Sequence, residues 1–325
     1  KHYLALFRYA AATDSRVFHI LWFTRFEWFD NTFLILYYKL LGKRLVLTVH
    51  NVNRKQRDGK DGFLNRLSLR YIYRQVDHLF VHTERMKEEL EHDFAVPEEK
   101  VSIIPFGVNS LLVKTDLSRA AARERLGLSP ADKVLLFFGN IAPYKGLDVL
   151  VDSLAALPDC RLIIAGPVKS GCEAPWRGIE STIAAKGLAG RIVNRVRFIP
   201  EEDVEVYFKA ADALVLPYRT ISQSAVLFLG LQFGLPVIAT DVGELAGSVK
   251  RRVNGFVSRP GDPEALAGTI GEYFASPLFE ELEARRPDII SDVYRTHSWA
   301  TVAEQTSRVY AKVAGLIPAS LERAL

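Results

Sequence analysis

The stretch from Ala210 to Gly243, AADALVLPYRTISQSAVLFLGLQFGLPVIATDVG, leaves few folds open. A short apolar run, Ala213 to Leu216, stops at Pro217. A run of that length between turn residues suits a strand buried on both faces. After a polar loop, Ser222 or Ser224 is placed to cap a helix that is apolar nearly all round, Ala225 to Phe233. Gly234 suits a left-handed end to that helix, with Pro236 just beyond it. A second buried strand, Val237 to Thr240, then runs into the Asp241-Val242-Gly243 turn. Strand, loop, buried helix and strand in that order specify a parallel sheet with helices on its faces, an α/β fold. In such sheets, loops after strand ends that lead into a helix N-terminus are where anionic ligands bind.

The chain has 325 residues, room for two domains of this kind. A net charge of +4 is too mild to imply a nucleic-acid partner. Cys160 and Cys172 share no metal or redox spacing and read as free thiols. No apolar run reaches the roughly 18 residues of a membrane span and no signal peptide is visible, which places the chain in the cytoplasm.

Upstream, Val17 to Trp22 reads as a strand and Phe33 to Leu41 as a helix ending at Gly42. Arg44 to Val49 is the next strand, and it delivers His50 at its carboxyl end. Asp77 to His82 follows, with Thr83 as an N-cap, and then the strand that opens at Val101. Between Lys43 and Arg74 there are nine Lys or Arg and two Asp. Arg66, Arg70 and Arg74 lie along one helical face, with Leu64, Leu67 and Tyr71 as its apolar side. With Trp22, Phe23, Phe26, Trp28 and Phe29 upstream, this segment has two readings. One is peripheral contact with an anionic membrane at its inner face; the other is a solvated helix surface. Later, Lys133 to Gly139 is a strand that enters the Asn140–Gly146 loop. Arg161 to Pro167 and Val196 to Pro200 read as further strands, the latter followed by an acidic helix start at Glu201-Glu202-Asp203.

Gly234-Leu235-Pro236-Val237-Ile238-Ala239-Thr240 resembles the Gly-x-Pro-Val-Ile-Ala-Thr end of the donor-binding core in the retaining nucleotide-sugar glycosyltransferases of family four. Lys145-Gly146-Leu147-Asp148 resembles the Lys-Gly-x-Asp of that family's first donor-domain loop. Leu162 to Gly166 is similar to its Leu-x-Ile-x-Gly strand, and Ile104 to Asn109 to its Ile-Pro-x-Gly-Val-Asn segment. The resemblance covers most of the chain and is strongest over 133–260. It implies the GT-B architecture: two facing Rossmann-like domains with the active cleft between them and a C-terminal helix crossing back. An N-terminal acceptor-side domain would take residues 1–110, completed by about 300–325, and a donor-binding domain 111–299, with the linker near 110–118. The family's earlier strand–helix units and their Gly-rich loop have no counterpart here, and the chain opens in mid-pattern. On this reading the chain is truncated and its N-terminal domain incomplete.

The site implied by the resemblance departs from the family in two places. Counting back from Gly234, the family's two glutamates fall on Ile221 and Leu229, so Gln223-Ser224-Ala225 and the helix N-terminus behind them would hold the diphosphate and sugar. The family's loop arginine is also missing, whether sought at Asn140 or Ala142. A diphosphate leaving group is then neutralised by Lys145 and helix N–H groups and not by a metal. His50 would orient the donor sugar. The expected catalytic residues are His50 and Lys145. The expected donor-binding residues are Gly139, Asn140, Lys145, Gly166, Gln223, Ser224 and Ala225, with Ile199 and Pro200 at the base. Glu244 reaches the ribose or is a surface turn residue. The implied activity is metal-independent, retaining transfer of a hexosyl group from a nucleotide diphosphate-sugar to a hydroxyl on a glycan or lipid-linked sugar, with no cofactor beyond the donor. The contrasting reading, drawn from the missing glutamates and arginine, is a non-catalytic nucleotide-sugar-binding or partner subunit.

Overall fold

The apolar runs become strands of two separate, wholly parallel sheets in the computed structural model, which describes residues 2–22, 29–53, 61–108, 115–221 and 223–316. The chain divides into one unit made of Lys1–Phe106 with Trp299–Leu325 and a second made of Gly107–Ser298.

In the first unit β1 (Val17–Ile20), β2 (Arg44–Thr48), β3 (His78–Val81) and β4 (Val101–Ile103) pair in chain order. Right-handed crossovers that always advance in one direction put the intervening helices on one face. There Leu45, Leu47, Leu79 and Val81 pack with Ile35, Tyr38, Ile72 and Leu90. Alternate residues Val46 and Phe80, with Ile104, point the other way and meet Val309, Tyr310 and Val313. Those three lie on the Trp299–Val313 helix, so the C-terminal helix folds back onto the first unit. Tyr310 hydroxyl meets His19 Nδ1 at 2.5 Å, and Thr48 Oγ1 meets Nε2 at 2.7 Å. Burial, helped by nearby His50, pushes His19 down to about 4, so it is neutral at pH 7.

The second unit holds β5 (Lys133–Phe138), β6 (Cys160–Ala165), β7 (Ile192–Arg195), β8 (Ala213–Leu216), β9 (Val237–Thr240) and β10 (Gly255–Ser258). Their order is β10-β9-β8-β5-β6-β7. The chain moves outward from β5 to β7 and then returns to the other side of β5. The neighbours β5 and β8 therefore flank the switch point, where open α/β sheets leave a crevice beyond the strand ends. Two Rossmann-like α/β units with a returning C-terminal helix make a GT-B architecture.

The Phe63–Gln75 helix buries Ser68, Ile72 and Tyr73 and leaves Leu64 and Leu67 exposed. Polar pairs set that rotation, because Asn31 donates to Ser68 Oγ at 3.1 Å and Tyr73 hydroxyl to the Val52 carbonyl at 2.7 Å. The helix expected at Phe33 begins earlier, in a π-turn over Asp30–Leu34 that buries Asp30 and Asn31. Val196 to Pro200 is not a strand: β7 ends at Arg195, where Asn194 Oδ1 accepts from the Val196 N–H and turns the chain. Phe23, Phe26, Trp28, the basic run 54–60, most of the linker and Ser222 lie outside the described residues.

A buried ion pair ties β5 to β8. Arg123, 1% exposed, donates to the carbonyls of Ala210, Ser129, Pro130 and Asp132 and to Asp212 Oδ2 at 2.9 Å. Asp212 in turn accepts the Val134 N–H on β5 at 2.7 Å and pairs with Arg119. Removing one member of such a pair strands the other charge, at about 3–5 kcal/mol. Urea unfolding should show a loss of that order for Arg123→Met, and less than about 0.5 kcal/mol for Arg125→Met on the exposed side of the same helix.

Candidate functional site

Three glycines bring the switch-point loops into backbone contact. Gly139, after β5, has φ +101°, and Gly166, after β6, has φ +136°. A Cβ on Gly166 would lie 2.3 Å from the Gly139 carbonyl oxygen, so a side chain there is excluded. The short turn Pro143–Lys145 ends at Gly146, whose Cβ would lie 1.9 Å from the Pro217 carbonyl oxygen in the loop after β8. Lys145 is thereby held under the loops at 7% exposure. Its Nζ is 3.0 Å from the point a Cβ on Gly139 would occupy and 5.5 Å from the centre of the Tyr218 ring. Among the described residues no carboxylate pairs with it. Burial lowers its pKa to about 8, which leaves it mostly charged at pH 7.

The Ala225–Gln232 helix supplies the second element. Ser224 holds the N-cap position with extended backbone and is 5% exposed. Its hydroxyl makes no cap, however, and faces the Tyr218 hydroxyl at 3.5 Å. The Leu227 N–H is taken by the Ser224 carbonyl at 3.1 Å, while the N–H groups of Ala225 and Val226 have no intrahelical acceptor. Ala225 is exposed. Val226 Cγ2 lies 3.6 Å from the Cβ position on Gly139, so Gly139 sits between the helix start and the Lys145 ammonium. Gly230 lets this helix approach β8, where a Cβ would lie 2.7 Å from Leu214 Cδ2. An unpaired cation, a helix N-terminus and side-chain-free backbone together form an anion site.

Sequence reasoning missed Arg219. It forms a two-pronged ion pair with Asp148, at 2.8 and 2.6 Å. It also binds the turn, with its backbone N–H on the Tyr144 carbonyl at 2.7 Å and Nη1 on the Pro143 carbonyl at 2.9 Å. Burial alone would raise the Asp148 carboxyl, but the Arg219 bonds hold it below the usual range. The Asp of the Lys-Gly-x-Asp pattern thus anchors the arginine that fixes the turn carrying Lys145. No spacing rule announces a lone arginine in a loop.

Gly139, Lys145, Gly166, Ser224 and Ala225 converge. Asn140 is exposed beside them and Gln223 is half-buried. Ile199 is buried past β7, Pro200 opens the Glu201–Ala210 helix, and no hydrogen bond among the described residues joins either to Lys145. The Glu244 carboxylate turns back over Gly247, 3.3 Å from where a Cβ there would lie. No group of three or more His, Cys, Asp or Glu able to hold a metal occurs among the described residues. In the first unit, His50 stacks on Trp22 at 4.1 Å and 9° between planes, and its Nδ1 meets His82 Nε2 at 3.2 Å. Burial lowers the pKa of both histidines.

Family models match stretches of both units. Residues 6–110 match the model of Glycosyltransferase Family 4, and residues 132–276 match that of Glycosyl transferases group 1. The chain belongs to the family 4 glycosyltransferase superfamily. It is 32% identical over 251 residues to a D-inositol 3-phosphate glycosyltransferase of Streptomyces scabiei, covering 74% of this chain and 54% of that one. It is 35% identical over 207 residues to the protein of the same name in Mycolicibacterium gilvum, covering 62% and 45%. The chain thus spans about half the length of the curated relatives it matches. The sucrose-phosphate synthase of Thermosynechococcus elongatus superposes with a TM-score of 0.80 at 22% identity, covering 97% of this chain and 77% of that one. Anabaena HepE, in complex with UDP, gives 0.82 at 17% identity, covering 95% and 81%. At those identities the likeness is one of fold.

The lowered Lys145 pKa gives this candidate site a measurable signature. At pH 8 about half the molecules carry a neutral amine, and binding an anion selects the ammonium. Titration with inorganic pyrophosphate at pH 8, in buffers of different ionisation enthalpy, should show wild type taking up on the order of half a proton more than Lys145→Met. The difference should vanish at pH 6, where the ammonium is already charged.

Proposed function

We propose that this protein is a nucleotide-sugar-dependent hexosyltransferase that acts with retention and without a metal. The observation that carries the reading is the buried Lys145 ammonium, unpaired among the described residues, beside the first turn of the Ala225–Gln232 helix. As the bond between the sugar and the diphosphate breaks, negative charge grows on the departing phosphate oxygen. An ammonium and N–H groups already in place stabilise that charge without reorganisation. Gly139 and Gly166 let phosphate approach the backbone, Ser224 and Ala225 hold it, and Asn140 and Gln223 border the sugar. Ile199 and Pro200 serve the base, and Glu244 the ribose if its loop turns outward. His50 orients a sugar. The D-inositol 3-phosphate glycosyltransferase relatives and the UDP-glucose bound to HepE support a sugar nucleotide as donor and a hydroxyl as acceptor.

Calorimetry with UDP-, GDP- and ADP-sugars, followed by phosphorus NMR of turnover, tests this. One nucleotide should bind, and Lys145→Ala should cut kcat by about 100- to 1,000-fold while weakening donor binding far less. Donor bound yet never turned over, with acceptors present, would leave a non-catalytic nucleotide-sugar-binding subunit.

A second observation bears on the acceptor. The rotation of the Phe63–Gln75 helix exposes Phe63, Leu64 and Leu67, at 79%, 61% and 52%, on the side that carries Arg66, Arg70 and Arg74. Phe33, Leu36 and Leu40 form an exposed stripe on the neighbouring helical segment. No helix among the described residues is long and apolar enough to cross a membrane. We read this face as a peripheral contact with the anionic inner surface of a membrane, which suits a lipid-linked acceptor. The protein should sediment with phosphatidylglycerol vesicles, less so at high salt, and a Leu64→Ser, Leu67→Ser double variant should remain in the supernatant. Equal sedimentation of both proteins would contradict the assignment.

A further inference from the structure

The carboxyl ends of the four strands in the first unit carry a row of rings: Trp22, His50, His82 and Phe106. His50 and His82 lie 5.2 Å apart, and His82 and Phe106 5.7 Å. A directed hydrogen-bond chain runs through the middle of this row. His82 Nδ1 meets the Ile104 carbonyl at 3.2 Å, and a carbonyl only accepts. The proton is therefore on His82 Nδ1. A neutral imidazole carries one N–H, so His82 Nε2 is a bare acceptor and the proton in its 3.2 Å contact with His50 belongs to His50 Nδ1. The same count leaves His50 Nε2 bare. That atom is buried and has no hydrogen-bond partner among the described residues. The Leu21 backbone raises the His50 pKa against the lowering by burial, yet no hydrogen bond among the described residues joins it to Nε2. The Trp22 indole, nearly coplanar against the His50 ring, opposes a ring flip that would exchange the nitrogens.

We propose that His82 is a positioning residue: by accepting the Nδ1 proton of His50 it presents the Nε2 lone pair as an acceptor for a sugar hydroxyl. A phosphate oxygen, itself an acceptor, finds no proton at that atom on the neutral ring. This narrows the sequence-based expectation that an imidazole at position 50 serves a hydroxyl or a phosphate equally. The nature of the ligand rests on the glycosyltransferase reading; the tautomer does not.

The test is a two-bond proton–nitrogen correlation spectrum of protein labelled with nitrogen-15 histidine, at neutral pH, with His50 assigned through His50→Gln. The expected pattern is a protonated Nδ1 and a bare Nε2 on His50. His82→Gln, whose amide can accept from His50 and donate to the Ile104 carbonyl, should keep that pattern, whereas His82→Phe should lose it. A protonated Nε2 in wild type, or an unchanged tautomer in His82→Phe, overturns the proposal. The wild-type spectrum decides the tautomer even if His82→Phe fails to fold. The bound nucleotide-sugar should then shift the Nε2 resonance and the free nucleoside diphosphate should not; an equal shift with both overturns the sugar-hydroxyl assignment. Failure to bind any sugar nucleotide would speak against the glycosyltransferase reading and leave the tautomer result standing.

Discussion

The contact of bare backbone with bare backbone at Gly139, Gly146 and Gly166 governs the second unit's site. Gly166 lies against the Gly139 carbonyl and Gly146 against that of Pro217, each closer than any Cβ allows. The loops after β5, β6 and β8 are thus set at a spacing that no side chain can alter. Lys145 is carried into this arrangement by its position next to Gly146, not by any attraction of its own. The Asp148–Arg219 pair braces the same turn from outside. Below the loops, Asp212 and Arg123 hold β5 and β8 together at their opposite ends. The switch point is therefore fixed at both ends of the two strands that define it.

The electrostatic consequence follows from that packing. A cation taken out of water is normally given a carboxylate, and the buried Arg123 has one. Among the described residues Lys145 has none. Its ammonium lies over the Tyr218 ring, and burial lowers its pKa to about 8. An arrangement so unfavourable for an empty site becomes favourable once an anion arrives, and the helix N-terminus beside it points to the same ligand. The first unit uses the opposite logic at its strand ends. There, burial favours the neutral form of His50 and His82, and the Ile104 carbonyl accepts from His82.

Much of this was legible in the sequence. The continuous apolar runs gave the parallel strands, because strands buried on both faces need no alternation. The Gly234-Leu235-Pro236 stop marked the helix end through backbone requirements that few residues meet, and the resemblance of Lys145-Gly146-Leu147-Asp148 to the family's Lys-Gly-x-Asp loop marked the lysine. What escaped depends on partners distant in the chain. Which face of the Phe63–Gln75 helix turns inward is set by Asn31 and Val52, which bond the Ser68 and Tyr73 hydroxyls. Ser224 has the identity of a cap, yet its hydroxyl faces Tyr218. Arg219 and His82 carry no spacing signal at all. Their roles arise from Asp148 and His50, 71 and 32 residues away.

The proposed diphosphate site is the Lys145 ammonium together with the start of the Ala225–Gln232 helix. A crystal structure with a nucleoside diphosphate bound would put this to the test. The terminal phosphate should lie within hydrogen-bonding distance of Lys145 Nζ and of the Ala225 or Val226 N–H, with the Asp148–Arg219 pair unbroken. A phosphate held by Arg219 instead, or one bound away from Gly139, would contradict it.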